Sequence, residues 1–459
     1  MPEPGSTTTR EFMLGEGGFT AGTQPMHLGV GPQHPAMHGI IRIVTELDGE
    51  VIRKAEVEIG YLHRAFEKDC EVGGWNNAIP YTDRLNYVSP LINNFGYCMA
   101  VEKLLGIEIT ERCRYIRTIM AEISRICDHL TCIGASAMEL GAFTVFLYMI
   151  KAREFLWELV EEVTGARLTI SYGRVGGVKA DLPPDFAGHM RQAFKQVREV
   201  LDEVHRLLTG NRIFMDRMVG VGALSREETI AYGITGPLLR AVGVPYDVRR
   251  AQPYDAYDRV EWEVPTQTAG DNYARYLVRM AEMEQSMRIA EQALDQIPAG
   301  PINVDYEGRP MDPAAFVDQG KQGKTGGLLL HPITLSPNLS GQERPAHQRV
   351  NVADKRVVLP PKETTYGSIE GLMNHFMLIM EGYGIRPPRG EAYAAVEGAN
   401  GELGFYVVSD GSDRPYRVRC RPPCLPPMAA LHRMIEGEMI ADLIPTFGSV
   451  NMIGGELDR

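Results

Sequence analysis

Residues 100–165 read AVEKLLGIEITERCRYIRTIMAEISRICDHLTCIGASAMELGAFTVFLYMIKAREFLWELVEEVTG, and this stretch contains no proline. Apolar side chains recur along it at helical spacing, at Ile116, Ile119, Met120, Ile123, Ile126 and Leu130. Arg117, Glu122 and Arg125 lie off this stripe. Because side chains three or four residues apart share one face of a helix, the stretch predicts two long helices that break near Gly134.

The helical pattern begins near residue 63 and returns in several later segments. Amphipathic spacing predicts further helices at 186–209, 225–242 and 270–296. Another helix is predicted in SIEGLMNHFMLIMEGYG, residues 368–384. The centre of the chain is therefore expected to be an α-helical bundle.

Two stretches outside this centre alternate apolar and polar residues, as strands do. In residues 39–60 the alternation surrounds Asp48-Gly49, which predicts a β-hairpin with a two-residue turn. Residues 392–423 alternate between glycine-rich turns and predict a β-meander. The predicted fold class is α+β, with a central α-helical bundle and small antiparallel β-sheets at the N-terminus and near the C-terminus.

We expect residues 1–30, rich in Gly, Thr and Pro, to form an extended arm and residues 31–459 to form a single domain. The parts of this domain are a hairpin at 31–62, the helical bundle at 63–297, an insertion or loop region at 298–362, and a helix, β-meander and C-terminal tail at 363–459. No internal repeat is visible in the sequence.

The composition limits the classes of function. The 459 residues carry a net charge of −12, which argues against a nucleic-acid partner. The N-terminal sequence shows no secretory signal, and the longest apolar run, residues 140–150, is too short to span a membrane. Seven scattered cysteines without a CxxC pair predict buried, free thiols, and they are Cys70, Cys98, Cys113, Cys127, Cys132, Cys420 and Cys424.

The motif GPQHPAMHG, residues 31–39, places His34 and His38 four residues apart across a proline. A histidine here is a candidate metal ligand, proton donor or structural residue. Residue type and spacing alone favour the structural role.

Several motifs together resemble one known family. They are GPQHPAMHG, GYLHRAFEK, PYTDRLNYVS, AVEKLLGI, RLTISYGRVGGVKADLP, GDNYARYLVRMAEMEQS, YVVSDGSDRPYRVRCR and GGELDR. In this order they resemble the D-type (49-kDa) subunit of proton-translocating NADH:quinone oxidoreductase, respiratory complex I. The resemblance runs from about residue 27 to the last residue and is weakest at 298–362.

The resembled family is related to the large subunit of nickel–iron hydrogenases, which hold their metal with two paired-cysteine motifs. The first pair corresponds here to Asn86 and Ser89, and the C-terminal stretch GSVNMIGGELDR has no cysteine. Nickel requires such thiolate ligands, so no metal site is expected. In the resembled family the quinone head group occupies this region.

The resemblance implies three residues for quinone binding and protonation. His38 matches the histidine that hydrogen-bonds one quinone carbonyl, and Tyr87 matches the tyrosine that bonds the other. Glu139 stands where the family usually has an aspartate that pairs with this histidine. The alternatives are a structural histidine, a core tyrosine, and a charge at a helix N-terminus.

The resemblance also implies that Arg64 and Arg84 lie near the terminal iron–sulfur cluster of a neighbouring subunit. The alternative is a surface ion pair with Glu67 or Asp83. Three departures accompany these matches: Ala65 replaces a family glycine, Thr169 replaces a histidine near the same cluster, and Ala399-Asn400 replaces Pro-Lys. The final Asp458-Arg459 resembles a family tail that lies inside the fold near the quinone chamber; the alternative is a disordered terminus.

The implied function is the quinone-site subunit of a complex I-type enzyme, inactive alone and coupled to proton translocation. Quinone is then the substrate, the chain binds no cofactor of its own, and the iron–sulfur cluster and the NADH or other electron donor belong to partner subunits. The implied partners are the B-type iron–sulfur small subunit, a C-type subunit and membrane-arm subunits around the quinone channel. The implied location is peripheral, on the cytoplasmic side of the cell membrane.

Two alternatives to this function stay open at the level of sequence. One is the active large subunit of a nickel–iron hydrogenase-like complex, which metal analysis for nickel would test. The other is a structural subunit that has lost quinone binding, which photolabelling of the assembled complex with a quinone analogue would test. The retention of both His38 and Tyr87 argues against the structural alternative.

Overall fold

The computed structural model describes residues 25–304, 357, 359–360, 362–380 and 384–459. Within these residues the chain mixes helices with small antiparallel sheets, so the predicted α+β class is confirmed. None of the described helices is long and apolar enough to cross a membrane.

The helices occupy the middle and the end of the chain. In order they are α1 Phe66–Val72, α2 Ile79–Thr82, α3 Pro90–Leu105, α4 Glu111–Glu139, α5 Phe143–Thr164, α6 Phe186–Val204, α7 Arg212–Met218, α8 Arg226–Ala231, α9 Pro237–Arg240, α10 Val248–Ala251, α11 Asn272–Gln296, α12 Lys362–Gly367, α13 Ile369–Ile379, α14 Leu425–Ile435, α15 Ile440–Val450 and α16 Gly454–Leu457. Short 3-10 turns lie at Pro35–Met37 and Trp75–Ala78, and α6 continues into a π turn, His205–Thr209.

The strands form three antiparallel sheets. They are β1 Met26–Val30, β2 Arg42–Asp48, β3 Val51–Glu58, β4 Gly173–Arg174, β5 Gly177–Val178, β6 Gly390–Gly398, β7 Gly401–Ser409 and β8 Arg417–Arg421. The sheet orders are β1-β2-β3, β4-β5 and β6-β7-β8. The predicted hairpin and meander are confirmed, with Asp48 opposite Val51 and Gly398 opposite Gly401. The hairpin turn, Gly49-Glu50, lies one residue later than predicted.

The regions predicted as an arm and as an insertion are described only in part. Residues 26–30, at the end of the predicted arm, form β1 and pair with β2. Most of 298–362 lies outside the described residues, so the predicted insertion is not tested. The division into an arm at 1–30 and a domain at 31–459 stays a prediction.

The predicted break near Gly134 is wrong. Helix α4 runs through Gly134 and ends at Glu139, and Gly141 leaves the helix with a φ of 89°. Gly134 instead faces α5, because a Cβ there would lie 3.1 Å from the Cβ of Met149. Gly134 thus permits α4 and α5 to pack closely. Gly141, with its left-handed backbone, lies just beyond the end of α4.

The helix predicted at 225–242 is also divided. Its residues form α8 and α9, separated by Gly233 and Gly236 with φ of 69° and 73°. A Cβ at Gly236 would lie 2.5 Å from the carbonyl oxygen of Asn400, so this turn packs directly on the meander. The helices predicted at 186–209 and 270–296 are present, and α13 covers Ile369–Ile379 of the stretch predicted at 368–384.

Charged residues off the apolar stripe of α4 are buried rather than exposed. Arg117, Glu122 and Arg125 are each 0% exposed, because α3, α5, α11 and α15 surround α4. Arg117 donates to both carboxylate oxygens of Glu102, at 3.0 and 2.6 Å. A buried charge requires such a partner, since an unpaired one loses its hydration without compensation.

Loss of the Arg117 guanidinium is expected to destabilise the chain strongly. Arg117→Ala leaves the Glu102 carboxylate buried without its cation, with only the backbone N–H of Gly176 as a donor among the described residues, which costs about 3–5 kcal/mol. The measurement is the free energy of unfolding of the purified chain in urea. The control is Arg191→Ala, which removes an exposed pair with Asp295 and is expected to cost less than about 1 kcal/mol. Equal losses in both variants would contradict the importance of the buried pair.

Candidate functional site

The loop between β1 and β2 carries both histidines of the GPQHPAMHG motif. Nδ1 of His34 accepts a hydrogen bond from the backbone N–H of Ala36 at 3.2 Å, so this ring caps the 3-10 turn. His38 ends the turn with a φ of 54°, and its side chain is exposed at the surface of the chain. Partial burial lowers the pKa of His38, which makes the neutral imidazole the dominant form at pH 7.

Tyr87 lies in a turn between α2 and α3. Its side chain is 38% exposed. Burial raises the pKa of Tyr87, the carboxylate of Asp128 raises it further, and the Arg64 guanidinium opposes both. The phenol therefore carries its proton at neutral pH and can serve as a hydrogen-bond donor.

A buried carboxylate lies directly behind the Tyr87 turn. Asp128 of α4 is fully buried, and its Oδ2 accepts from Nδ2 of Asn86 at 2.7 Å and from Oγ of Ser89 at 2.8 Å. Its Oδ1 accepts from Nδ2 of Asn451 at 2.8 Å. Asn86 and Ser89, the two positions predicted to correspond to a cysteine pair, thus bond one carboxylate, and Asn451 of the C-terminal stretch bonds the same carboxylate.

A second buried acid lies beside this network. Oε1 of Glu456 accepts from the backbone N–H of Cys424 at 3.0 Å. Burial raises the pKa of Glu456 to about 7, and the Asp128 carboxylate acts in the same direction. The periodicity of the sequence pointed to neither Asp128 nor Glu456, because a polar residue in a helical stretch usually indicates an exposed face.

All seven cysteines are buried and free of disulfides, as predicted. Burial raises the pKa of every one of these thiols. A raised pKa keeps a thiol protonated, and the thiol is a poor metal ligand compared with the thiolate. Among the described residues, no group of three or more His, Cys, Asp and Glu side chains is arranged to hold a metal ion.

Glu139 is the last residue of α4, so its explanation as a helix N-terminal charge is wrong. Within the described residues its Oε2 is buried without a hydrogen-bond partner, and it lies against α15, where a Cβ at Gly448 would be 2.4 Å away. Burial raises the pKa of Glu139 to about 8. No hydrogen bond or ion pair joins Glu139 to His38 in the described part of the chain.

The two predicted cluster-facing arginines lie together. Nη2 of Arg64 donates to the carbonyl oxygen of Arg84 at 2.8 Å and to that of Gly455 at 3.1 Å. One of the alternative ion pairs is present, since Nη1 of Arg84 lies 3.8 Å from Oδ2 of Asp83. Among the described residues Glu67 pairs with Arg419 and Arg459 instead.

The segment that carries Thr169 packs beside Arg84. The exposed Thr169 lies two residues before Ser171, whose backbone N–H and Oγ donate to Asp83, the neighbour of Arg84, at 2.8 and 2.6 Å. Ala65, predicted to stand where the resembled family has a glycine, has a φ of 55°. An L-residue in this left-handed conformation costs roughly 1–2 kcal/mol, so a glycine would fit this backbone better.

The C-terminal tail lies inside the fold, so the alternative of a disordered terminus is wrong. Asp458 is 7% exposed and accepts from the backbone N–H groups of Gly60 and Leu62 at 3.0 and 2.8 Å. Gly455 lies where no side chain fits, because backbone atoms are next to it, and Gly454 lies against the ends of the Ile40 and Leu62 side chains. A Cβ at Gly454 would be 2.1 Å from Ile40, and one at Gly455 would be 2.3 Å from the carbonyl oxygen of Arg84.

The tail thereby connects the predicted site residues. Gly454 contacts Ile40, two residues after His38, and Gly455 contacts the segment that leads to Tyr87. Met37 and Val88, the chain neighbours of His38 and Tyr87, belong to one buried apolar cluster with residues of α14 and α15. Glu139, at the C-terminal end of α4, contacts α15 at Gly448. Within the described residues, the three predicted side chains share no hydrogen bond or ion pair.

The comparisons with known proteins give the class of protein: the chain is similar to subunits of respiratory-chain oxidoreductases. The family model of the respiratory-chain NADH dehydrogenase 49 Kd subunit matches residues 139–323 and 341–459. The chain belongs to this family, which confirms the resemblance.

The relatives match over nearly the whole chain. The first of the D-type subunits of NADH-quinone oxidoreductase in Sorangium cellulosum is 50% identical over 95% of this chain and 96% of its own length. The D-type subunit of NADH-quinone oxidoreductase in Myxococcus xanthus is 48% identical over 95% of this chain and 93% of its own length. The C/D-type subunit of NADH-quinone oxidoreductase in Bdellovibrio bacteriovorus is 46% identical, with 94% of this chain matched to 68% of that protein.

Removal of the acidic proton of Glu139 is expected to change how stability depends on pH. The pKa of Glu139 is raised to about 8 in the folded chain. The folded state therefore keeps a proton that the unfolded state releases once the pH exceeds the ordinary carboxyl pKa of 4.5. This stabilisation is complete below that value and is lost as the pH rises through about 8.

Glu139→Gln has no such proton to lose. Between about pH 5.5 and 8.5 the wild-type chain is therefore expected to lose stability relative to the variant, on the order of 1–2 kcal/mol after screening by water. Urea unfolding at both pH values measures this. Parallel losses in the two proteins would contradict a raised pKa at this position.

Proposed function

We propose that this chain is the quinone-binding subunit of a complex I-type NADH:quinone oxidoreductase. Family membership and the names of the relatives support the enzyme class. One observation supports the quinone site: Gly454 contacts the His38 loop and Gly455 contacts the segment that leads to Tyr87, so both segments meet at the C-terminal tail.

The chemistry of the side chains suits this reaction. Reduction of a quinone to a hydroquinone consumes two electrons and two protons, one for each carbonyl oxygen. Tyr87 holds its proton at neutral pH and donates a hydrogen bond to one carbonyl. His38 donates its ring N–H to the other carbonyl and relays a proton to it, since a neutral imidazole carries one donor and one acceptor nitrogen. Glu139, with a pKa of about 8, is a proton reservoir at the far end of α4.

The electrons arrive from outside this chain. In the proposal they come from the terminal iron–sulfur cluster of the neighbouring B-type small subunit, next to Arg64 and Arg84. A fixed cation near a cluster stabilises the added electron and raises the reduction potential. The contact of Arg64 with both Arg84 and Gly455 supports a link between the cluster-facing surface and the quinone side.

The remaining partners and the location follow from the same assembly. The C/D name of the Bdellovibrio relative supports a C-type neighbour. Membrane-arm subunits around the quinone channel would hold the chain peripherally on the cytoplasmic side of the cell membrane. Protonation changes at the site would be coupled to proton translocation through these subunits, and the chain alone would be inactive because its electron donor lies elsewhere.

Tyr87→Phe and His38→Ala are each expected to lower quinone reduction by the assembled complex by roughly 100-fold, because each removes a proton donor. Turnover with the complex's own electron donor measures this, and spectroscopy of the terminal cluster tests that electrons still arrive. The control is Tyr416→Phe, an exposed tyrosine outside the site that should keep wild-type turnover. Near wild-type quinone reduction in both site variants would remove this assignment and favour a structural subunit.

Thr169 is expected to weaken the pH dependence of the terminal cluster's midpoint potential, since threonine cannot take up the proton that a histidine would. Redox titration of the assembled complex between about pH 6 and 8 should give a slope well below ~59 mV per pH unit, the value for one proton per electron. Thr169→His is the matched variant and should steepen the slope. A wild-type slope near the full value would contradict the expectation.

A further inference from the structure

The proposed reaction makes no use of the most completely buried acid near Tyr87. Asp128 is 0% exposed, and it accepts each of its three side-chain hydrogen bonds from a neutral donor. A carboxylate is an acceptor with two oxygens, so it satisfies all three donors at once. A neutral side chain of the same shape would leave at least one of them without its partner.

Two of these donors belong to the turn that carries Tyr87. Asn86 and Ser89 lie on either side of it in the chain, and both bond the same oxygen of Asp128. Oδ1 of Asn86 also accepts from the backbone N–H groups of Val88 and Ser89, at 3.2 and 3.4 Å. The Asn86 side chain thus closes the turn with one end and attaches it to α4 with the other.

The third donor belongs to the C-terminal segment. Asn451 ends α15 in a left-handed conformation, with a φ of 56°, and leads into the tail that contacts the His38 loop. Its Nδ2 donates to Asp128 and, at 2.7 Å, to Oδ1 of Asn400. That oxygen also accepts from Nη1 of Arg279 at 3.3 Å.

The contacts of Arg279 close a ring. Its Nη1 also lies 3.3 Å from Nδ1 of His129, the chain neighbour of Asp128. Because a guanidinium only donates, Nδ1 of His129 is the acceptor, and Nε2–H of this ring donates to Glu282 at 2.9 Å. Arg279 can only donate and the Asp128 carboxylate can only accept. The hydrogen bonds that link them through Asn400 and Asn451 therefore have one possible direction each.

We propose that Asp128 is a positioning residue for the quinone reaction: it fixes the Tyr87 turn and the C-terminal segment relative to each other and places a negative charge behind the phenol. The proposal rests on the proposed function, since it concerns the residue that donates to quinone. Asp128 itself does not touch the substrate.

The charge has a chemical consequence. When Tyr87 protonates the quinone, its O–H bond breaks, the electron pair stays on the phenolate oxygen, and a new O–H bond forms on the quinone oxygen. The charged and titratable groups that face Tyr87 are Asp128, Arg64 and Cys424, with Glu456 beside them. Asp128 opposes a phenolate at this position, so Tyr87 gives up its proton only to an oxygen made basic by the arriving electrons, and it then recovers a proton from solvent.

Asp128→Asn in the assembled complex separates this role from simple packing. The variant keeps the shape, removes the charge and loses one acceptor. The value of kcat/KM for quinone is expected to fall about 10- to 100-fold, the effect of a lost hydrogen bond to a charged group. The alkaline limb of the pH–rate profile is expected to move to lower pH, because the carboxylate no longer opposes the phenolate.

Two further variants serve as references. Ser89→Ala removes one hydrogen bond but keeps the charge, so it should lower kcat/KM less and leave the alkaline limb in place. Ser124→Ala is a buried change one turn earlier in α4, outside the network, and should match the wild type. A packing defect alone would lower activity without moving the limb.

Wild-type kcat/KM and an unmoved alkaline limb in Asp128→Asn would overturn the proposal. If this variant does not assemble, Asn451→Gly and Ser89→Ala decide: reduced kcat/KM in both supports the proposal, and wild-type kcat/KM in both overturns it. Glycine suits the left-handed backbone at position 451. An unchanged Asp128→Asn beside an inactive Tyr87→Phe removes only the positioning role, whereas a fully active Tyr87→Phe removes the quinone site itself.

Discussion

The site depends on one buried carboxylate and the three neutral groups that donate to it. Asp128 lies in the middle of α4, Asn86 and Ser89 come from the turn before α3, and Asn451 comes from the C-terminal segment. A buried charge is stable only while its donors point at it, and each donor is satisfied only while the charge is there. Segments more than 300 residues apart in the chain are thereby held as one unit. The tail that follows Asn451 contacts the His38 loop through Gly454 and the Tyr87 segment through Gly455.

The same principle extends along α4. Glu122 bonds both Arg125 and Arg249, and Arg125 donates to the carbonyl oxygens of Glu397 and Gly398 at the turn of the β-meander. Buried ion pairs of this kind contribute little net stability compared with apolar packing, but an arrangement that separated the partners would be strongly disfavoured. We infer that these charges fix how the meander sits on the helical bundle, and with it the position of Asn400 at the site.

The proton states of the site follow from burial more than from pairing. Burial raises the pKa of Tyr87, of Glu139 and of Glu456, so Tyr87 and Glu139 hold their protons at neutral pH and Glu456 titrates there. Arg64 is the cation that acts against this at Tyr87. In the proposed reaction the protons are thus in place before the electrons arrive, and the reduced quinone is the base that withdraws them. A site built on exposed carboxylates would be deprotonated at the same pH.

The sequence by itself determined the elements with strong periodicity, because a repeat of 2 or 3.6 residues follows from which face of a strand or helix is buried. The hairpin, the meander and the long helix at 272–296 are of this kind, and so is the presence of two long helices within residues 100–165, though not the point where the first one ends. The motifs determined the family. Only the tertiary structure decided that α4 continues through Gly134, that Glu139 ends it, and that Arg117, Glu122 and Arg125 are buried. These outcomes depend on which elements surround the helix. The spacing of residues along one segment does not show which distant segments will pack against it. The role of Asp128 belongs here too, since its three donors come together only after the chain has folded.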